Sequence, residues 1–314
     1  MKKTFIAAGL VSLLSTTAMA ETVGVSMALF DDNFLTVLRN GMISQAEGMD
    51  GLELQVEDAQ NDVAKQLSQI QNFIASGVDA IVVNPVDTSA TQAMTDAASA
   101  AGVPLVFVNR QPINVDTLPD NQAFVASNEA DSGTLETLEV CRLLAASGKT
   151  EANIYVMMGE LSNQAAVMRT QDIHDVMASG NCGVTLNIID EQTANWSRDQ
   201  AQSLMSNWLS TATPFDAVIA NNDEMAIGAI QAMKAAGMDM ASVIVGGVDA
   251  TQDALASMAA GDLDVTVFQD AAGQGAGALD AALKLAKGED VDQKVYIPFQ
   301  LVTPENMADY AAKN

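Results

Sequence analysis

Amides, carboxylates, guanidiniums and aromatic rings recur in this chain at one kind of place, just after a short apolar run. Asp31, Asp32 and Phe34 follow the run ending at Ala28. Asn84 follows Val83, and Asn109 and Arg110 follow Val108. A polar loop after Met158 leads to Arg169, and a short loop after Ile189 leads to Trp196. Asn222 comes just after Ala220, Asp249 just after Gly247, and Gln269 just after Phe268. Amides, carboxylates and Arg pair with hydroxyls, which both donate and accept hydrogen bonds. Aromatic faces pack against the C–H surface of a ring. The mixture therefore suits a neutral, polyhydroxylated ligand. Taken singly, Asp32, Asn222 and Asp249 read as helix caps, and Phe34 and Trp196 as core. Taken jointly, so many polar strand exits favour a cleft, because ligands of open α/β sheets bind beyond the carboxyl ends of the strands.

The elements that must position these residues alternate. Apolar runs at Thr22–Ala28, Gly51–Glu57, Asp79–Val83, Pro104–Val108 and Asn121–Ala126 read as strands, with helical stripes between them. The pattern then restarts with a helix from about Glu129 to Ala146 and strands at Asn153–Met158, Val184–Ile189, Phe215–Ala220, Val243–Gly247 and Asp264–Phe268. Ser197 and Gln200 read as a capping box. An Ala- and Gly-rich helix from about Ala271 to Lys287 and a strand at Val295–Val302 complete the chain. Such βαβα alternation predicts doubly wound parallel sheets flanked by helices, in two successive lobes. No long linker and no short-period repeat is visible.

Composition narrows the function. Residues 1–20 carry Lys2 and Lys3, an apolar run from Phe5 to Leu14 and an Ala18-Met19-Ala20 site, the grammar of a secretory signal peptide cleaved after Ala20. The run is too short to span a membrane, so an exported protein is expected. Its formal charge of −26 becomes more negative by two once Lys2 and Lys3 leave. Such acidity argues against a nucleic-acid partner. The two cysteines, Cys141 and Cys182, leave a disulfide and a pair of buried thiols equally open. With one histidine, they do not read as a zinc site.

Catalytic signatures are missing. His174 stands alone in mid-helix, and no G-x-S-x-G, Walker or H-E-x-x-H motif occurs. The run Gly273-Gln274-Gly275-Ala276-Gly277 does not fit a dinucleotide loop, and Asp58 and Asp62 read as solvated faces rather than calcium ligands. No cofactor and no metal are expected, and an enzyme is disfavoured.

The segments NNDEMAIGA (221–229), VNPVD (83–87), VNRQP (108–112) and GVDATQDA (247–254) resemble the periplasmic sugar-binding proteins of ABC importers, type I fold, close to the ribose-binding branch. The likeness covers nearly all of the chain after the leader. It implies two lobes joined by a three-crossing hinge, with an N-terminal lobe of 21–126 plus 270–299 and a C-terminal lobe of 127–269 plus 300–314. It also implies a monomer in the periplasm, no catalysis, and delivery of a sugar to a membrane permease. Carried over by position, it implies ligand contacts at Phe34, Asn84, Arg110, Arg169, Trp196, Asn222, Asp249 and Gln269. Phe34 and Trp196 would sandwich the ring. Asp32 stands where an Asn is usual, Asn109 where an Asp is usual, and Leu35 where a second Phe is usual. These departures resemble the inositol-binding members, so the resemblance points to a cyclitol such as myo-inositol, with ribose or another pentose or hexose as the alternative. A transcription regulator of the same fold would need a basic N-terminal DNA-binding helix pair, which this chain does not offer.

Overall fold

The computed structural model describes residues 21–314, so the leader expected at 1–20 lies outside the described residues. Strands and helices alternate from the start: β1 (Glu21–Met27), α1 (Asn33–Glu47), β2 (Leu52–Asp58), α2 (Val63–Ser76), β3 (Ala80–Val83), α3 (Thr91–Ala101), β4 (Leu105–Val108) and β5 (Gln122–Ala126). The second run is α4 (Ser132–Ala146), β6 (Glu151–Met158), α5 (Gln164–Ser179), β7 (Thr185–Thr193), α6 (Arg198–Ser210), β8 (Ala217–Ala220), α7 (Asp223–Ala235), β9 (Ile244–Gly246), α8 (Gln252–Ala259) and β10 (Thr266–Phe268). The chain ends with α9 (Ala271–Ala286), β11 (Lys294–Tyr296) and β12 (Gln300–Val302).

Two sheets build two lobes. The first has the parallel order β11-β5-β4-β3-β1-β2. The second runs β7-β6-β8-β9, also parallel. Single bridges at Gly246–Val265 and Asp249–Phe268 connect it to β10, and β10 pairs antiparallel with β12. β3, β4, β5 and β8 are buried throughout. That is why their sequences read as continuous apolar runs: helices cover both faces. Separate apolar clusters fill the two faces of each sheet.

Four local expectations change. The strand expected to end at Ile189 runs on to Thr193, and its pairing with β6 skips a residue between Ile188 and Asp190. A sheet edge tolerates the charged tail Asp190-Glu191-Gln192, which periodicity alone reads as loop. The helix expected from Glu129 begins at Ser132, which leaves Glu129 in the crossing between lobes. Ser197 caps α6 through the Gln200 N–H, but the Gln200 side chain takes a bond from Asn195 instead of closing the box. Finally, the strand expected over Val295–Val302 is two strands: β11 joins β5 in the first lobe, and β12 joins β10 in the second. Pro298 sits between them and has no N–H for a ladder.

Helix α9 returns from the second lobe to pack on α1. A side chain at Gly275 would bring its Cβ to 2.4 Å from the Leu38 carbonyl oxygen. Gly275 therefore serves the close packing of α9 on α1. Cys141 and Cys182 are bonded, with Cα atoms 5.1 Å apart, and tie α4 to the segment before β7. Closing a loop of 41 residues stabilises the second lobe by about 4 kcal/mol in the chain-entropy view.

Candidate ligand-binding site

The strand exits of both sheets face one another across a cavity with an empty volume of about 400 Å³. Of the residues singled out from the sequence, Asp32, Phe34, Asn109, Arg110, Arg169, Trp196, Asn222, Asp249 and Gln269 all line it. Asn84 does not. Its amide is engaged below the floor, where Nδ2 donates to the Val108 carbonyl at 3.2 Å and to Asn109 Oδ1 at 3.3 Å, and Oδ1 accepts weakly from the Ala28 N–H at 3.4 Å. Asn84 thus ties the exits of β1, β3 and β4 together and orients Asn109. Leu35, Asn163 and Ala165 also line the cavity, and sequence reasoning did not select them.

On the first lobe, Asp32 is both cap and wall. Its Oδ1 accepts the Leu35 N–H at 2.8 Å, and the residue still borders the cavity. Burial pushes its pKa up, against the pull of that cap bond and of Arg110. Asn109 adopts a left-handed backbone, φ 66°, and donates Nδ2 to Gln274 Oε1 at 3.2 Å. Gln274, fully buried on α9, also donates to Ser127, so the returning helix braces this wall. Arg110 has one short bond, from Nη1 to the Pro85 carbonyl at 3.0 Å. Burial pulls its pKa below the usual value, opposed by Glu160 and Asp32.

On the second lobe, Arg169 is held on nearly every side. Nε and Nη2 donate to the two oxygens of Glu129 at 2.7 and 3.0 Å, Nη2 also to Gln269 Oε1 at 3.1 Å, and Nη1 to the Asn221 carbonyl at 2.7 Å. Burial opposes its charge, but Glu129, with Asp249 and Glu136 adding to it, holds the pKa above the usual value. Glu129 is a site residue that the sequence did not disclose, because its partner lies 40 positions away. Asn222 caps α7 through Oδ1, which accepts the Met225 N–H at 3.0 Å, so one amide edge remains for the cavity. Asp249 is buried in an uncommon backbone conformation, φ 126°. Its Oδ1 lies 3.9 Å from Arg169 Nη1, beyond hydrogen-bond reach. Burial raises its pKa well above the carboxylate range despite Arg169. Gln269 keeps Nε2 unpartnered although nearly the whole residue is buried.

Trp196, also left-handed at φ 62°, forms the far wall, 5.6 Å from the Arg169 guanidinium. Its ring lies against Gly159, where a Cβ would sit 2.2 Å from the indole. Only glycine leaves room for this aromatic wall. Backbone strain in a cavity wall is characteristic of functional positions.

Hydrogen bonds join the lobes around the cavity. Asn33 donates to Glu224 at 2.8 Å and Asn61 to Glu160 at 2.9 Å. Thr88 donates from its N–H and its hydroxyl to the Ser162 carbonyl at 3.1 and 3.0 Å. Among the described residues there is no cluster of metal-ligating side chains. His174 lies on the surface beside Glu191, away from the cavity.

Comparison with known proteins agrees with this architecture. The periplasmic binding protein domain family matches residues 23–290. The chain is 64% identical, over the whole of both chains, to a protein of Rhizobium meliloti to which rhizopine binding is provisionally ascribed. It is 31% identical to a ribose import binding protein of Bacillus subtilis, covering 90% of this chain and 87% of that one. A crystal structure of an ABC transporter solute-binding protein from Bacillus halodurans with bound myo-inositol aligns with a TM-score of 0.88 at 42% identity, over 96% of this chain and 100% of that one. The family consists of solute-binding transport proteins rather than enzymes, and its setting is the periplasm. Because these matches run through both lobes, the chain belongs to the periplasmic binding protein family.

Proposed function

We propose that this protein captures a cyclitol of the myo-inositol kind in the cavity between its lobes and delivers it to the permease of an ABC importer. The observation that carries this reading is a ring of polar groups left free in a buried, aromatic-walled cavity. One oxygen of Asp32, one edge of Asn222, the carboxyl of Asp249 and Nε2 of Gln269 remain available, spread over both lobes. A cyclitol bears a hydroxyl on every ring carbon and can meet groups on all sides. Phe34 and Trp196 would cover the ring faces, and Asn109, Arg110 and Arg169 would add contacts. Asn84 would act by holding Asn109. The bound myo-inositol of the Bacillus halodurans relative supports a cyclitol.

The lobes then correspond to 21–126 with 270–299 and 127–269 with 300–314, hinged where the chain passes between the sheets. Ligand stabilises the closed form by its greater affinity for it. The molecule works as a monomer, exported by a leader cleaved after Ala20. The alternative ligand is ribose or another pentose or hexose, favoured by the Bacillus subtilis relative.

Tryptophan fluorescence and calorimetry with myo-inositol, ribose, xylose, galactose and glucose decide between them. Trp196 lines the cavity, whereas Trp208 stacks on Tyr155 in the core and supplies a constant background. Saturable binding of myo-inositol alone is expected. Tighter binding of ribose would replace the cyclitol reading.

A further inference from the structure

Asn163 stands at the start of α5 in the extended conformation of a helix cap, φ −108°, ψ 126°, yet its side chain makes no capping bond. Asp32, Asp62 and Asn222 stand at the same place on their helices and do cap them. Forgoing a cap costs about 1 kcal/mol, and here nothing local replaces it. Asn163 is 1% exposed, lines the cavity, and leaves Oδ1 without a hydrogen-bond partner. Its other end is occupied: Nδ2 donates to Glu160 Oε2 and to Ser162 Oγ, both at 3.1 Å. The carboxylate accepts only from an NH₂, so the free end of the amide is the oxygen.

The groups holding Nδ2 belong to the contact between lobes. Glu160 uses its other oxygen to accept the Asn61 Nδ2 at 2.9 Å. Asn61 is fixed in the first lobe by its N–H bond to the Ala28 carbonyl at 2.8 Å. The Ser162 carbonyl, next to Asn163, accepts both bonds from Thr88 of the same lobe. The turn 160–163 is thus gripped from across the cleft on one side and presents an unmet acceptor to the cavity on the other.

We propose that Asn163 is a further ligand contact, accepting a hydroxyl of the bound polyol through Oδ1, and that the chain Asn163–Glu160–Asn61 couples this contact to closure of the lobes. The proposal rests on the polyol reading above. An occupied Oδ1 orients the amide, the amide orients Glu160, and Glu160 receives the first lobe. An apolar ligand, or one without a hydroxyl at this point, would bind without recruiting the latch.

The test is titration calorimetry and stopped-flow dissociation with myo-inositol, or whichever polyol of the panel binds, on the full chain and on Asn163→Ala, Asn61→Ala and the double variant. Asn163→Ala should weaken binding roughly tenfold, the worth of leaving a ligand hydroxyl unpaired. The ligand-free Tm should change little, because the change deletes an unpaired buried oxygen together with the two Nδ2 bonds to Glu160 and Ser162. Asn61→Ala, which leaves the cavity intact, should raise the dissociation rate several-fold, and this effect should shrink in the Asn163→Ala background. Binding of Asn163→Ala within twofold of wild type would overturn the contact. A fall in Tm parallel to the loss of affinity would show a structural role instead. Additive effects of the two substitutions would overturn the coupling. Failure of the wild type to bind any polyol of the panel would remove the ligand class and this proposal with it, whereas normal wild-type binding with unaffected variants would sink the role of Asn163 alone.

Discussion

Two buried arginines face the same cavity from opposite lobes, and they are held in different ways. Arg169 is clamped by both oxygens of Glu129, by Gln269 and by the Asn221 carbonyl, and its charge is reinforced. Arg110 rests on one short bond to the Pro85 carbonyl, and burial weakens its hold on its proton. The second-lobe wall is therefore built before ligand arrives, by pairs internal to that lobe and to the crossing that carries Glu129. The first-lobe wall keeps an under-satisfied cation beside Asp32, whose remaining needs a ligand can meet. Binding energy is gained most where the protein has left its own groups incomplete, and positional accuracy where it has completed them.

The sharpest way to break this comparison is Glu129→Leu. It strands the Arg169 charge in the interior, and truncating one partner of a buried pair costs about 3–5 kcal/mol. A large drop in the urea midpoint of the ligand-free protein is expected. A change below about 1 kcal/mol would mean that Arg169 does not depend on Glu129.

Arg110→Leu should do the reverse. Stability of the ligand-free protein should hold level or rise, since an ill-paired buried charge is replaced by an apolar group of similar reach. Affinity for the polyol should fall by about tenfold or more, the worth of hydrogen bonds from a charged donor. Equal losses of stability in the two variants would erase the distinction between the walls.

The second-lobe wall also predicts a response to pH. Behind the second-lobe wall, burial pushes Asp223 up to about 7 despite bonds from Thr266 and Thr251, and pushes Asp172 up to about 7 as well. Unfolded aspartates titrate near 3.9. Between about pH 4 and 7 the folded protein therefore holds protons that the unfolded chain has lost, and stability declines as pH rises through that window. Above it these two groups add no further decline. Urea midpoints should be higher at pH 5 than at pH 7.5, and Asp223→Asn should flatten the slope. A midpoint that climbs with pH over this range would show that these carboxyls ionise freely in the folded state.

Much of this molecule was legible locally. The buried strands announce themselves as apolar runs, and polar residues at their exits converge because parallel strands all end on one side of a sheet. Asp32 and Asn222 illustrate how far local chemistry reaches. Capping and cavity lining looked like rival readings, yet one oxygen serves the helix and the rest of the group faces the cavity. Asn84 marks the limit, because its position at a strand exit is right and its side chain is engaged below the floor.

By itself, then, the amino-acid order determined the alternation of strands and helices, the division into two parallel sheets and the set of polar exits, since these follow from periodicity and turn chemistry within a few residues. Tertiary structure alone decided that Glu129 meets Arg169, that Gln274 braces Asn109, that Cys141 meets Cys182, and that the chain on either side of Pro298 belongs to different lobes. Each of these joins residues far apart in the chain or assigns neighbours to separate sheets. Such pairings depend on strand order and on where the crossings fall, and no short-range pattern encodes them.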